Sequence, residues 1–154
     1  MKKKVAINGF GRIGRLVYRA FLERVNEFSN QYEINYINDL ADLDSNIHLL
    51  KYDTIHGPLN KEINKISNEQ FSIGKNTVTV TSERNPIDLK WKDKDVDIIL
   101  ECTGVFASKE KAMSHIESGA SKVIVSAPCS GADITVVQGV NNENINIDHQ
   151  IISN

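Results

Sequence analysis

The stretch Val5-Ala6-Ile7-Asn8-Gly9-Phe10-Gly11-Arg12-Ile13-Gly14-Arg15 constrains this chain more than any other part of it. Three apolar residues lead straight into Gly-x-Gly-x-x-Gly, and beyond it Ile13, Val17, Ala20, Phe21 and Phe28 recur at helical spacing. The glycines therefore join a strand to a helix. Gly9 permits the tight turn, Gly11 lets backbone approach a pyrophosphate, and Gly14 allows close packing of helix on strand. N–H groups at the helix start, at the positive end of its dipole, suit a phosphate. The pattern predicts a dinucleotide held by the loop that carries Gly9, Phe10, Gly11, Arg12 and Ile13.

Residues 34–37 read as the second strand, closing at Asn38-Asp39. Asp39 is the acidic residue of the pattern, somewhat further beyond Gly14 than the usual ~20 residues, a difference that an elongated first helix absorbs. Its carboxylate can accept hydrogen bonds from both ribose hydroxyls. The same charge repels the 2′-phosphate of NADP, and Leu40 next door offers no compensating donor, so NAD is the expected cofactor.

Further along, Leu43, Ile47 and Leu50 predict a short helix with Asp42 as its N-cap. Residues 52–58 read as a loop. Residues 71–73 and 77–80, joined by Gly74-Lys75-Asn76, predict an antiparallel hairpin inserted on a parallel pattern. Trp91 is expected to plug a core edge. The apolar run 96–100 is a central strand, and ligands of doubly wound folds lie at strand carboxyl ends, which places Thr103 and Gly104 on the nucleotide cleft. Ser108 caps a helix carrying Ala112, Met113 and Ile116, stopped by Gly119. Residues 123–125, 135–137 and 150–152 complete the strands. The fold class this order predicts is α/β, a doubly wound, mostly parallel Rossmann-type sheet with an inserted antiparallel hairpin, in one domain over residues 1–154.

Composition narrows the partners. A chain of 154 residues with 40% hydrophobic and 25% charged residues suits one well-packed core. A net charge of -2 provides no domain-wide positive field, so nucleic acid is not expected as a partner. Lys2, Lys3 and Lys4 are followed by too short an apolar run for a signal peptide, and no later run reaches membrane-spanning length, so a cytoplasmic protein is expected. Cys102 and Cys129 fit neither a disulfide framework nor metal-ligand spacing. Cys102 reads as a buried core thiol. Cys129 lies in a loop, and no histidine is placed beside it to make it a nucleophile. His48, His56, His115 and His149 read as surface or packing residues.

Asn8-Gly9-Phe10-Gly11-Arg12-Ile13-Gly14-Arg15, Asn38-Asp39, Lys51-Tyr52-Asp53-Thr54, Thr103-Gly104-Val105-Phe106 and Ser126-Ala127-Pro128 together resemble the amino-terminal, NAD-binding domain of phosphorylating glyceraldehyde-3-phosphate dehydrogenases. The likeness runs in register from Val5 to Asn154. It implies that the backbone at Arg12 and Ile13 meets the pyrophosphate, that Asp39 takes the adenosine ribose, and that Arg84 lies beside the adenine. It implies further that Thr103 lines that pocket and that Ser126 lies towards the nicotinamide. Asn85 and Cys129 depart from the usual aspartate and serine of the family. The implied reaction is oxidation of glyceraldehyde 3-phosphate with NAD and phosphate, by a full-length enzyme that is a homotetramer. The family's catalytic cysteine motif follows the Ser-Asn found here at 153–154. The expectation is thus a chain covering somewhat under half of a full enzyme, with no catalytic residue of its own and no activity alone. Erythrose-4-phosphate dehydrogenase, whose amino-terminal half is similar, and a stand-alone nucleotide-binding module are the alternatives.

Overall fold

The structure, a computed structural model, describes residues 2–154. Strand β1 (Lys3–Asn8) alternates, sending Val5 and Ile7 into one apolar cluster and Ala6 into another on the opposite face. A strand buried on both faces belongs in the middle of a parallel sheet. Helix α1 (Arg12–Glu23) follows, and after a break at Arg24 comes the short α2 (Val25–Phe28). The elongated first helix expected from the sequence is therefore two helices. Its buried stripe also differs from the expected one: Gly14, Tyr18, Arg19 and Leu22 face inward, while Ile13 is 47% exposed and Ala20 is exposed. The reason is geometric. Gly14 must face β1, because a Cβ there would overlap the Gly9 carbonyl oxygen and lie 3.1 Å from Ile7 Cγ2. Inward positions then follow at four and eight residues on, at 18 and 22.

Strand β2 (Tyr32–Asn38) pairs in parallel with β1. Asp42 caps α3 (Leu43–Lys51) as expected, accepting the Ser45 N–H at 2.8 Å. Residues 52–58, expected as a loop, form a small hairpin of β3 (Tyr52–Asp53) and β4 (Gly57–Pro58). Asp53 Oδ1 holds its turn by accepting the N–H groups of Ile55 (2.9 Å) and His56 (2.8 Å). Arg19 Nη2 donates to the Gly57 carbonyl at 2.7 Å, tying the hairpin to α1.

Beyond β5 (Asn64–Lys65), strands β6 (Gln70–Ile73) and β7 (Asn76–Thr81) make the expected antiparallel hairpin. It is less of an insertion than expected, because β7 also pairs in parallel with β2 and buries Val78 and Val80 in the core. Trp91 is fully buried in a 3-10 turn, Trp91–Lys94. Strand β8 (Ile98–Glu101) alternates like β1, with Ile98 and Leu100 on one face and Ile99 on the other. Ser108 caps α4 (Lys109–Glu117), and Gly119 at φ +113° ends it. Then come β9 (Lys122–Val125), β10 (Ile134–Thr135) and β11 (Ile151–Ser153). The strand expected at 135–137 stops early because the Val137 N–H turns to Asn141 Oδ1 (2.7 Å) instead of a neighbouring strand.

The nine strands lie in the order β10-β11-β9-β8-β1-β2-β7-β6-β5, parallel from β10 to β7 and antiparallel beyond. From β1 the chain builds outward through β2 to one side and, later, through β8 to the other. That reversal opens a crevice at the carboxyl ends of β1 and β8, where doubly wound folds bind ligands.

Candidate functional site

The crevice at this switch point is a cavity of about 390 Å³ lined by Gly9, Gly11, Asp39, Arg84 and Thr103 among others. It adjoins a second hollow of about 610 Å³ through Asp39, Leu40 and Glu83. A larger groove of about 1020 Å³ lies elsewhere, between α1 and the β6–β7 hairpin, and touches none of the glycine loop. Its size does not make it the site, because it lacks convergent polar groups at strand carboxyl ends.

The three glycines of the loop divide into two kinds. Gly9 (φ +90°) and Gly14 are required by the fold: a Cβ on Gly9 would sit 2.7 Å from the Thr103 backbone nitrogen, and one on Gly14 would collide as described above. Gly11 has an ordinary φ of -70°, and a Cβ there would meet nothing within 4 Å. Its bare backbone borders the open cleft. Gly11 is also the N-cap of α1, with no side-chain cap and no acidic residue in the first turn. The leading N–H groups of the helix, at Arg12 and Ile13, are thus left without a side-chain acceptor.

Asp39 stands across from this loop. Its Oδ2 accepts the Phe10 N–H at 2.7 Å and its Oδ1 the Ala41 N–H at 2.9 Å, so the carboxylate is fixed in orientation. Each carboxylate oxygen retains a lone pair for a further donor. Phe10 itself points into the core and is 1% exposed, so its part in the site is played by backbone. Arg12 Nη1 turns away to Asp53 Oδ2 (3.1 Å), and Asp53, bonded by the His56 and Ile55 N–H groups and facing Arg12, has its carboxyl held below the usual carboxylate range. Gly104 (φ +75°) makes the turn that follows Thr103. Ser126 lies after β9, its Oγ donating to the Glu101 carbonyl at 3.1 Å.

Three polar residues that the sequence reading left without a role sit under the cleft. Asn8 and Asn38 close β1 and β2, and Glu101 closes β8, each almost wholly buried. A polar residue ending an apolar strand run was the available signal. Cys102, expected as a buried core thiol, packs against the apolar cluster of β1 and is half-buried, so that it also lines the cleft. Burial pushes both thiols, Cys102 and Cys129, above the ordinary thiol range. Cys129 packs in the core with its N–H on Ser153 Oγ (3.2 Å). His48 and His56 are exposed at the surface, and His115 is a fully buried packing residue in a polar contact with Glu101. Among the described residues no group of three or more His, Cys, Asp or Glu is arranged to hold a metal ion, and no helix is long and apolar enough to cross a membrane.

Comparison with known proteins agrees with this geometry. Residues 3–109 match the family model described as glyceraldehyde 3-phosphate dehydrogenase, NAD binding domain. The whole chain is 46% identical to a glyceraldehyde-3-phosphate dehydrogenase of Xanthobacter flavus and 44% identical to one of Pseudomonas aeruginosa, covering 45% of each of those proteins. One from Thermotoga maritima is 47% identical over 97% of this chain and 44% of its own length. The chain therefore spans under half the length of the curated relatives it matches. The Rossmann-type fold and the family match agree: NAD is the cofactor, and the chain belongs to the glyceraldehyde 3-phosphate dehydrogenase NAD-binding family.

Proposed function

We propose that residues 1–154 form the NAD-binding domain of an enzyme that oxidises and phosphorylates glyceraldehyde 3-phosphate with NAD and phosphate. The observation that carries this reading is Gly11, a glycine that the fold does not need, beside an uncapped helix start and opposite a fixed carboxylate. In this assignment the backbone of Gly9, Phe10, Gly11, Arg12 and Ile13 holds the pyrophosphate. Asp39 accepts the adenosine ribose hydroxyls and Arg84 lies beside the adenine. Thr103 and Gly104 form the opposite wall, and Ser126 lies towards the nicotinamide. Bound NAD supplies the hydride acceptor.

Neither cysteine of this chain serves as the nucleophile of the reaction. Burial pushes both thiols above the ordinary thiol range, away from the thiolate a nucleophile needs, and no hydrogen bond to a histidine is found for either among the described residues. The full-length enzyme is proposed to act in the cytoplasm as a homotetramer, with the aldehyde and phosphate handled outside residues 1–154. Calorimetric titration and a coupled assay test the reading together. The chain is expected to bind NAD and to produce no NADH from glyceraldehyde 3-phosphate and phosphate. Failure to bind NAD would overturn the site, and substrate-dependent NADH above a no-protein control would overturn the division of labour.

A further inference from the structure

Beneath the cleft lies a chain of buried side chains that the assignment above does not use. Glu101 is 1% exposed and His115 is fully buried, with His115 Nε2 3.0 Å from Glu101 Oε2. The same oxygen accepts from Asn8 Nδ2 at 2.6 Å. The other oxygen, Oε1, accepts from the Thr103 N–H at 2.8 Å and from the Thr103 hydroxyl. One carboxylate thus grips two different loops. Oε2 holds the end of β1, one residue before Gly9, and Oε1 holds the turn after β8. These are the loops whose backbones meet at Gly9 and Thr103.

Donor and acceptor rules fix the protons. Trp91 Nε1–H can only donate, and it lies 3.1 Å from His115 Nδ1, so that nitrogen must accept. The imidazole proton therefore sits on Nε2 and points at Glu101. Asn8 is locked as well: its Oδ1 accepts from Asn38 Nδ2 (2.8 Å), which leaves its Nδ2 for the carboxylate. Asn38 Oδ1 in turn accepts the Glu83 N–H at 2.8 Å. The series runs across the carboxyl ends of β8, β1, β2 and β7, directly under the nucleotide cleft, and every member has one permitted orientation.

We propose that Glu101 is a positioning residue for the cofactor. Its carboxylate sets the spacing of the Gly9 and Thr103 loops, and His115, held in one tautomer by Trp91, keeps that carboxylate in place. The proposal rests on the NAD assignment of the cleft. A glutamine at 101 has one oxygen where the site needs two. Turned one way, its amide nitrogen faces the Thr103 N–H. Turned the other way, it faces the donors of Asn8 and His115. A tautomer shift of His115 only moves the conflict to Trp91, and a flip of Asn8 moves it to Asn38.

NAD titration by calorimetry, on variants shown to be folded by circular dichroism, tests this. Glu101→Gln is expected to raise the NAD dissociation constant by about tenfold or more, the scale of one lost charge-assisted hydrogen bond. His115→Phe is expected to weaken binding likewise. His115→Gln, whose amide can donate to Glu101 and accept from Trp91, should restore most of that loss. A purely structural role would lower the melting temperature of Glu101→Gln and His115→Phe and leave the affinity of the folded protein unchanged, which would overturn the proposal. Trp91, the sole tryptophan, provides a readout that needs no variant. Saturation with NAD should shift its indole N–H resonance although Trp91 lies outside the cleft. An unmoved resonance counts against the proposal even if Glu101→Gln fails to fold. If the unmutated protein does not bind NAD, the cleft assignment falls and the proposal with it. If it binds and Glu101→Gln binds equally, the proposal alone falls.

Discussion

Gly11→Ala and Gly14→Ala should separate cofactor binding from folding, because the structure asks different things of the two positions. At Gly11 the backbone is extended with φ -70°, and an added methyl has no protein atom within 4 Å. Alanine is a poorer N-cap than glycine by roughly 0.5–1 kcal/mol, while loss of freedom in the unfolded chain returns about 0.4–1 kcal/mol. The two nearly cancel, so the melting temperature should move by no more than about 2 °C. On the proposed assignment, the methyl does, however, occupy the approach of the pyrophosphate to the helix start. Loss of one hydrogen bond to a charged group is worth about 1.5–3 kcal/mol, or a rise in NAD dissociation constant of roughly ten- to a hundredfold. At Gly14 the added Cβ overlaps the Gly9 carbonyl oxygen, a backbone atom that cannot rotate aside. Helix α1 must lift from β1, and overpacking of this kind costs about 1–3 kcal/mol or more, a fall of roughly 3–10 °C for a domain of this size. Thermal melts and calorimetric titration of both variants decide the matter. The reasoning fails if Gly11→Ala binds NAD as tightly as the parent, or if the two variants lose equal stability.

Asp39 and a 2′-phosphate 4 Å apart repel by about 1 kcal/mol in water and about 4 kcal/mol at an effective dielectric of 20, so NAD should be preferred over NADP by roughly tenfold or more. Asp39→Gly should narrow that gap in calorimetry, and equal affinities in the unmutated chain would refute the role of the carboxylate. Burial alone would raise the pKa of Asp133, but the Ile151 N–H, the Lys109 ammonium and the Gln150 N–H together hold it down to about 2. A depressed carboxyl stabilises the fold above its unfolded pKa of about 4 and loses that contribution as pH falls towards about 2, here about 2 kcal/mol. Denaturation of Asp133→Asn should therefore be flatter over that acid range than that of the parent, and identical slopes would disprove the linkage. Asp42→Ala removes the cap of α3, in which the Ser45 N–H (2.8 Å) and Ser45 hydroxyl (2.7 Å) both bond the carboxylate; it should cost about 1 kcal/mol in urea denaturation, and no change would show the cap to be idle.

What the sequence made legible was local. The strand–glycine–helix unit, the Asp42 and Ser108 caps, the Gly74-Lys75 turn and the run ending at Glu101 are each written within a few neighbouring residues, where spacing carries the information. The inward face of α1 was misread for the same reason. Apolar residues encircle that helix, and only the requirement that Gly14 face Gly9 selects Tyr18 and Leu22 over Val17 and Ala20. The hairpin's second strand could not be recognised as part of the main sheet from its own residues, because its parallel partner β2 lies about 40 residues away. The buried polar series was the least legible of all. Asn8 meets Glu101 across 93 positions, and Trp91 meets His115 across 24, each residue type common enough to suggest nothing alone. Topology supplies the missing term. By placing β1 between β2 and β8, it brings three polar strand ends side by side at the point where the strand order reverses. Groups buried there must satisfy one another. Glu101, Asn8 and Asn38 do so in a single consistent orientation, directly beneath the crevice.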